Sequence, residues 1–225
     1  MRTIMRVVLI PFVFLAGWAV GEEDFSSPPR WDVRFDIGGS IPQNPSLSEI
    51  AGPVTGGDTM ELSAGMQFDI SVGYRVTPWL AVEGELGFIF NEVESVGNWS
   101  YPDSALNQML LMANVVVEYP RGRLVPFAGV GAGGVLSSIS FGNHYDYYWY
   151  WSDSDGSGSD FVPAVQALGG VRYEFNEQWN VGLVYRFLAT DSQEWDVEWW
   201  NGPDFRLGVD RVCIHSICLA FSGRF

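Results

Sequence analysis

The sequence contains no lysine. All twelve of its basic residues are arginine, and they stand against 27 acidic residues. A chain so poor in positive charge repels nucleic-acid phosphates, so a nucleic-acid partner is not expected. The same charge attracts divalent cations or basic partners. Cysteine is scarce as well: Cys213 and Cys218 are the only two. Five residues apart, they point to opposite faces of one strand, and bonding them would require a bend, so two free thiols are expected. Neither a metal-ligand spacing nor a Cys/His nucleophile pattern is present. The cluster Gly129-x-Gly131 lies inside a strand pattern and not ahead of a helix, which is the wrong setting for a phosphate loop. No catalytic residue, metal or cofactor is therefore expected. Beyond the first twenty residues there is also no long unbroken apolar run, which leaves no transmembrane helix.

The beginning of the chain has a different character. Arg2 and Arg6 precede an apolar stretch from Val7 to Val20, followed by Ala19-Val20-Gly21 and then by Glu22, Glu23 and Asp24. This is the layout of a secretory signal peptide, and the apolar stretch is shorter than the ~20 residues of a spanning helix. Residues 1–21 read as a cleaved signal, 22–30 as a short N-terminal segment and 31–225 as one β-barrel domain. Removing the signal leaves ten arginines against 27 acids, a formal charge of −17.

What the chain does have is alternation. From Met60 to Val76 every second residue is apolar (Met60, Leu62, Ala64, Met66, Phe68, Ile70, Val72, Tyr74, Val76), with Glu61, Gln67, Asp69 and Arg75 among the intervening positions. A period of two over nine apolar positions is a long strand with one greasy and one polar face. The pattern recurs at Trp31–Ile37, Leu80–Phe90, Met109–Tyr119, around Val125, Phe127 and Val135, at Val165–Phe175, at Trp179–Phe187 and at Ile217–Phe225. That makes eight strands. Short connections (77–79, 120–123, 176–178) alternate with long ones (about 42–59, 91–104, 142–160, 190–204) rich in turn-forming residues. Strict alternation of short and long loops predicts an all-β, eight-stranded antiparallel up-and-down transmembrane β-barrel with its long loops at one end. In the short hairpins, three-residue turns keep the apolar sets of both strands on one face, with Tyr119 set against Val125.

Alternation alone does not say which medium meets the apolar face, since a soluble barrel shows the same period. Aromatics gathered near the short-turn ends (Trp31, Tyr74, Trp79, Tyr119, Phe127, Tyr173, Phe175, Trp179, Phe225) read as an interfacial girdle. The polar face carries both signs, and Asp69, Arg75, Glu83, Glu85, Asn114, Glu118, Arg172, Glu174 and Arg186 are expected to fill the interior as a hydrogen-bonded network. Closure also removes sheet edges, which hydrocarbon excludes.

Several stretches resemble the small outer-membrane β-barrel superfamily of OmpA-type, OmpX-type and opacity-type barrels. They are Gly73-Tyr74-Arg75 with Pro78 and Leu80–Phe88, Leu111–Val116, Val125–Gly133 and Gly170–Tyr173. The terminal Phe225 is similar to the C-terminal aromatic of that family, although Gly223 stands where another aromatic is usual. The resemblance implies location in the outer membrane among lipid and lipopolysaccharide. It also implies insertion by the barrel assembly machinery through Phe225, and a range of roles: adhesins, anchors, narrow pores and a few lipid-modifying enzymes.

The long loops hold the remaining candidates. Tyr147, Tyr148, Trp149, Trp151, Trp195 and Trp199 form an aromatic set that reads either as an outer girdle or as a surface for an extracellular ligand of unknown identity. Asp153 to Asp160 resembles an oxygen-rich calcium loop, a weaker reading. His215 and Ser216 hint at a nucleophile pair, but adjacent strand residues face opposite ways. Surface interaction is the leading functional expectation, a narrow pore the second and a lipid-modifying enzyme the third.

Overall fold

The computed structural model describes residues 31–51, 58–120, 122–141, 156–199 and 205–225; the segment read as a signal peptide lies outside them. The strands are β1 (Trp31–Pro42), β2 (Leu47–Ala51), β3 (Met60–Leu62), β4 (Gly65–Thr77), β5 (Leu80–Val96) and β6 (Trp99–Glu118), then β7 (Leu124–Phe141), β8 (Gly156–Glu174), β9 (Trp179–Thr190), β10 (Gln193–Trp199), β11 (Phe205–Val209) and β12 (Cys213–Arg224). Eight of them close a ring of antiparallel neighbours, in the order β1-β4-β5-β6-β7-β8-β9-β12 and back to β1.

The outward face of this ring is a continuous apolar band. On β5 it runs Leu80, Val82, Gly84, Leu86, Phe88, Phe90, and on β4 it runs from Val76 to Met66. Eleven residues at about 3.3 Å each, tilted by about 40°, rise roughly 25 Å, the height of a hydrocarbon core as barrels span it. Trp31 packs edge-on against Tyr74, and Tyr173 against Phe175, at the short-turn rim.

Two turns differ from expectation. Between β4 and β5, Thr77 pairs with Leu80 across a two-residue turn, and an irregularity at Val76 restores the expected register, Arg75 opposite Ala81. Between β6 and β7, Glu118 pairs with Phe127. This pairing is shifted by one residue from the expected Tyr119–Val125 register, and the connection, residues 119–123, includes Gly122 at φ 78°, a conformation that suits glycine. One extra residue reverses the facing of β7. Val125, Phe127 and Val135 therefore point inward and are buried, while Leu124, Val130 and Leu136 face out. Phe127 is not part of the girdle.

Within the expected long loops the described residues are largely strand. The chain continues above the band as β2, β3, β10 and β11 and the upper halves of β5 to β8. The pairs β2–β11, β11–β10, β10–β8 and β3–β5 extend the ring, and Ser46 bridges Thr59 to join β2 to β3. In this upper storey the faces are exchanged. Glu92, Glu94, Glu194, Asp196 and Glu198 point out, while Met60, Val93, Val96, Leu106, Ile139, Trp195, Val197, Leu207 and Val209 form one buried apolar cluster. Among the described residues the interior is thus charged only in its lower part. On β5 the change falls between Glu85 and Ile89 on the inside, and between Phe90 and Glu92 on the outside.

Pro163 marks the seam between storeys. Lacking an N–H, it lies where β8 parts from β9, above the Ala164–Thr190 pair, before β8 meets β10 at Ser157–Glu198. In the gap the Asp160 carboxylate accepts the backbone N–H groups of Phe161 (2.8 Å) and Glu194 (2.9 Å), and Asp191 N–H donates to the Pro163 carbonyl (3.0 Å). A side chain here takes the place of ladder bonds.

The exchange of faces predicts opposite tolerance to charge along one strand. Leu86→Arg, at the middle of the band on β5, is expected to cost about 2–4 kcal/mol, and Glu92→Arg, outward but above the band, close to nothing. Reversible unfolding in phospholipid vesicles measures both. Equal costs would mean that the band boundary lies elsewhere.

Candidate functional site

The lower lumen is built from inward side chains that meet across the ring. Arg186, on β9, is 1% exposed and faces β5 on the opposite side of the barrel. It donates through Nη1 to Glu85 (2.6 Å) and through Nη2 to Asp36 on β1, and its Nε lies 3.6 Å from Asp69 on β4. Arg34 donates to Glu83 (3.0 Å) and to Asp36 (3.2 Å). Four carboxylates thus surround two guanidinium groups, and amides supply further donors. Asn114 reaches Glu85 at 2.9 Å, Gln166 reaches Glu85 at 3.2 Å and Asn114 at 2.6 Å, and Gln67 reaches both oxygens of Asp69 at 2.9 Å. Amide donors oppose the excess negative charge without adding a cation, which is how a packed interior tolerates it.

A second layer lies nearer the short turns. Arg172 donates twice to Glu118, once at 2.6 Å, in a fork-to-carboxylate pair. Arg75 approaches Glu118 at 3.2 Å. Arg224 donates to Glu174 (2.7 Å) and lies 3.5 Å from Asp32. Three arginines here meet three carboxylates. The structure thus places all nine expected lumen residues on the inward face, with Arg75 and Glu174 half-buried near the rim. Asp32, Arg34, Asp36, Gln67, Gln166 and Arg224 complete the network. Their signal, polar residues in phase with the others on β1, β4, β8 and β12, was present in the alternation.

The expected aromatic surface fares differently. Tyr147, Tyr148, Trp149 and Trp151 lie outside the described residues, as do Asp153 and Asp155 of the candidate calcium loop; its remainder from Gly156 is the start of β8, where the Asp160 carboxylate accepts the backbone N–H groups of Phe161 and Glu194. Trp195 is not a surface residue: it is 0% exposed in the upper core, because strand alternation continues through β10 with Glu194 and Asp196 taking the outward positions. Trp199 ends β10, opposite Gly156. His215 and Ser216 point to opposite sides, with Ser216 buried in the lumen and His215 on the outer face. Cys218 is buried inside, Cys213 is half-buried on the outer face, and both are free.

A closed ring with a lipid-facing band and a charge-filled lumen is the architecture of an outer-membrane protein. The family described as outer membrane protein beta-barrel domain matches residues 10–211. The chain belongs to that family. It is an outer-membrane protein of the Gram-negative type, and its fold recurs in solved structures. Outer membrane protein OprG from Pseudomonas aeruginosa is 11% identical, with TM-score 0.58 over 88% of this chain and 99% of that one. Neisserial surface protein A is 15% identical, with TM-score 0.55 over 87% and 97%. The outer membrane protease OmpT from Escherichia coli is 9% identical, with TM-score 0.51 over 88% and 98%. At such identities the likeness shows the fold alone, and a protease among these structures means that the fold does not decide activity. None of the curated proteins matches in sequence.

Arg186 offers the sharpest test of the network. Arg186→Ala leaves Asp36, Asp69 and Glu85 buried without their shared cation, and is expected to cost about 3–5 kcal/mol in reversible unfolding. Arg172→Ala, nearer the rim, is expected to cost clearly less. The reverse order would show that the lower layer, and not the middle one, holds the lumen together.

Proposed function

We propose that this protein is a non-enzymatic surface-interaction barrel that holds an acidic, rigid upper storey above the outer leaflet for contact with a cationic partner. The observation that carries this reading is the charge of that storey. Among the described residues beyond the apolar band, Asp58, Glu61, Glu92, Glu94, Asp191, Glu194, Asp196, Glu198 and Asp210 are exposed, against Arg206 and Arg211. Arg206 is already paired with Asp196 at 2.8 Å. Such one-sided charge on a packed scaffold steers basic partners and repels anionic ones.

The packing of the lumen supports an interaction role over a pore. Arg186 spans the ring below, and above it Leu110, Val135, Ile139, Trp195 and Ile214 are all 0% exposed. Packing of this kind favours a filled barrel over an open channel. The facing of the polar residues favours a non-enzymatic role: Glu83 and Glu85 are tied to arginines, and His215 and Ser216 do not converge. Phe225, 69% exposed and paired through its backbone with Trp31 at 2.9 and 3.1 Å, is suited to recognition by the assembly machinery.

Protein reconstituted in neutral phospholipid vesicles should retain an oligoarginine peptide at low salt and release it at about 1 M salt, where screening shortens to about 3 Å. The combined variant Glu92→Gln, Glu94→Gln, Glu194→Gln, Glu198→Gln should retain much less. In planar bilayers the wild-type protein should pass no steady current. Salt-independent retention, or a stable open-channel current, would overturn the reading.

A further inference from the structure

Among the described residues of the lipid-facing band one outward position carries a basic group. His215, on β12, sits between Tyr185 and Phe187 of β9 and Ile41 of β1. It lies five outward positions above Phe225, at the upper end of the band, where acyl chains give way to headgroups. A polar, ionisable side chain on this face is costly unless it serves an interaction.

The hydrogen bonds around the ring define what it can offer. The Gln43 side-chain Nε2 donates to the imidazole Nε2 at 2.8 Å. The ring proton is therefore on Nδ1, which donates to the Tyr185 hydroxyl oxygen at 2.7 Å. Phe187 packs on the ring with centroids 5.0 Å apart and holds its plane. This chain of two bonds uses one amide hydrogen and the ring hydrogen. The Tyr185 hydroxyl hydrogen and the second amide hydrogen of Gln43 remain, and neither meets an acceptor among the described residues. Two donors are left over at the edge of hydrocarbon, so the complement is a ligand rich in acceptor oxygens and poor in donors. Arg211, exposed and two residues before the start of β12 at Cys213, places a positive charge above the ring. The same outer face continues downward through Ile217 and Leu219, more than half exposed, as a bed for acyl chains.

We propose that Gln43, His215 and Tyr185 form a headgroup site for a phosphorylated glycolipid of the outer leaflet, with a phosphate over the triad and acyl chains along Ile217 and Leu219. The rest of the described exterior above the band is acidic and repels phosphate, so the triad orients the barrel toward one bound lipid.

The test uses the full mature chain in phosphatidylcholine nanodiscs, with lipid A in its phosphorylated and dephosphorylated forms as probes and native mass spectrometry as readout. Phosphorylated lipid A should be retained by the wild type and dephosphorylated lipid A should not. Tyr185→Phe and His215→Ala should each weaken retention about tenfold, the scale of one hydrogen bond to a charged group, and Val33→Ala, elsewhere on the band, should not. The ring nitrogen signals of His215 should shift on adding the phosphorylated lipid. Tyr185→Phe removes a single oxygen and keeps the proposal testable even where His215→Ala fails to fold, with folding followed by the gel shift between heated and unheated protein. Equal retention of the two lipids, wild-type retention by Tyr185→Phe, or displacement of the lipid by inorganic phosphate would each overturn the proposal.

Discussion

A backbone amide in hydrocarbon has no water to bond, and this constraint organises the molecule. Every strand must be paired on both sides, so the sheet must close. An eight-stranded closure leaves a lumen only wide enough for side chains, so the lumen must be filled. The apolar face is committed to lipid, and what remains to fill the interior is the polar half of each strand. The crossing bonds of Arg186 to Glu85 and Asp36 follow from that sequence of necessities. They fill the interior with charges that satisfy one another, a tolerable arrangement only because nearly every member has a partner.

Above the band the constraint lapses. Strands there have water outside, and the economical packing is the ordinary one, with apolar side chains inward and charge outward. The chain makes the change without altering its pleat: on β5, inward positions pass from Glu85 to Ile89 while outward positions pass from Phe90 to Glu92. One set of strands therefore serves two media. The apolar upper core braces the acidic exterior, and packed strands hold its charges in a fixed geometry that a mobile loop would lack.

This is also why the transmembrane ring was legible in the sequence and the upper storey was not. Strand number, antiparallel order and the inward position of the nine polar residues follow from alternation. The four connections read as loops because Glu, Asp, Ser and Gly are dense in them. In water, however, those residues are what the outer face of a strand carries, and the short apolar sets between them (Val93 and Val96, Trp195 and Val197) are its inner face. Trp195 was misplaced for this reason, since an aromatic between acids is a surface feature in a loop and a core feature in a strand. The facing of β7 was missed for another reason. Glycines occupy four of the six positions from Gly129 to Gly134, with Ala128 and Ala132 beside them, so neither face carries a strong hydrophobic signal, and the parity rests on one extra residue in a turn.

The boundary between storeys is where ladder geometry and medium change together, and the polar devices of the fold gather there. Asp160 replaces ladder bonds beside Pro163 on one side of the barrel. On β12, beyond β9, His215 ties Tyr185 and Gln43 together on the outer face. The first satisfies donors that the backbone left open, while the second leaves donors pointing away from the protein. A fold that spends side chains on closing its own hydrogen bonds at this level, and leaves two open at one spot of the same level, distinguishes that spot chemically from the rest of the rim. The headgroup region it faces is the part of the membrane that supplies acceptor oxygens.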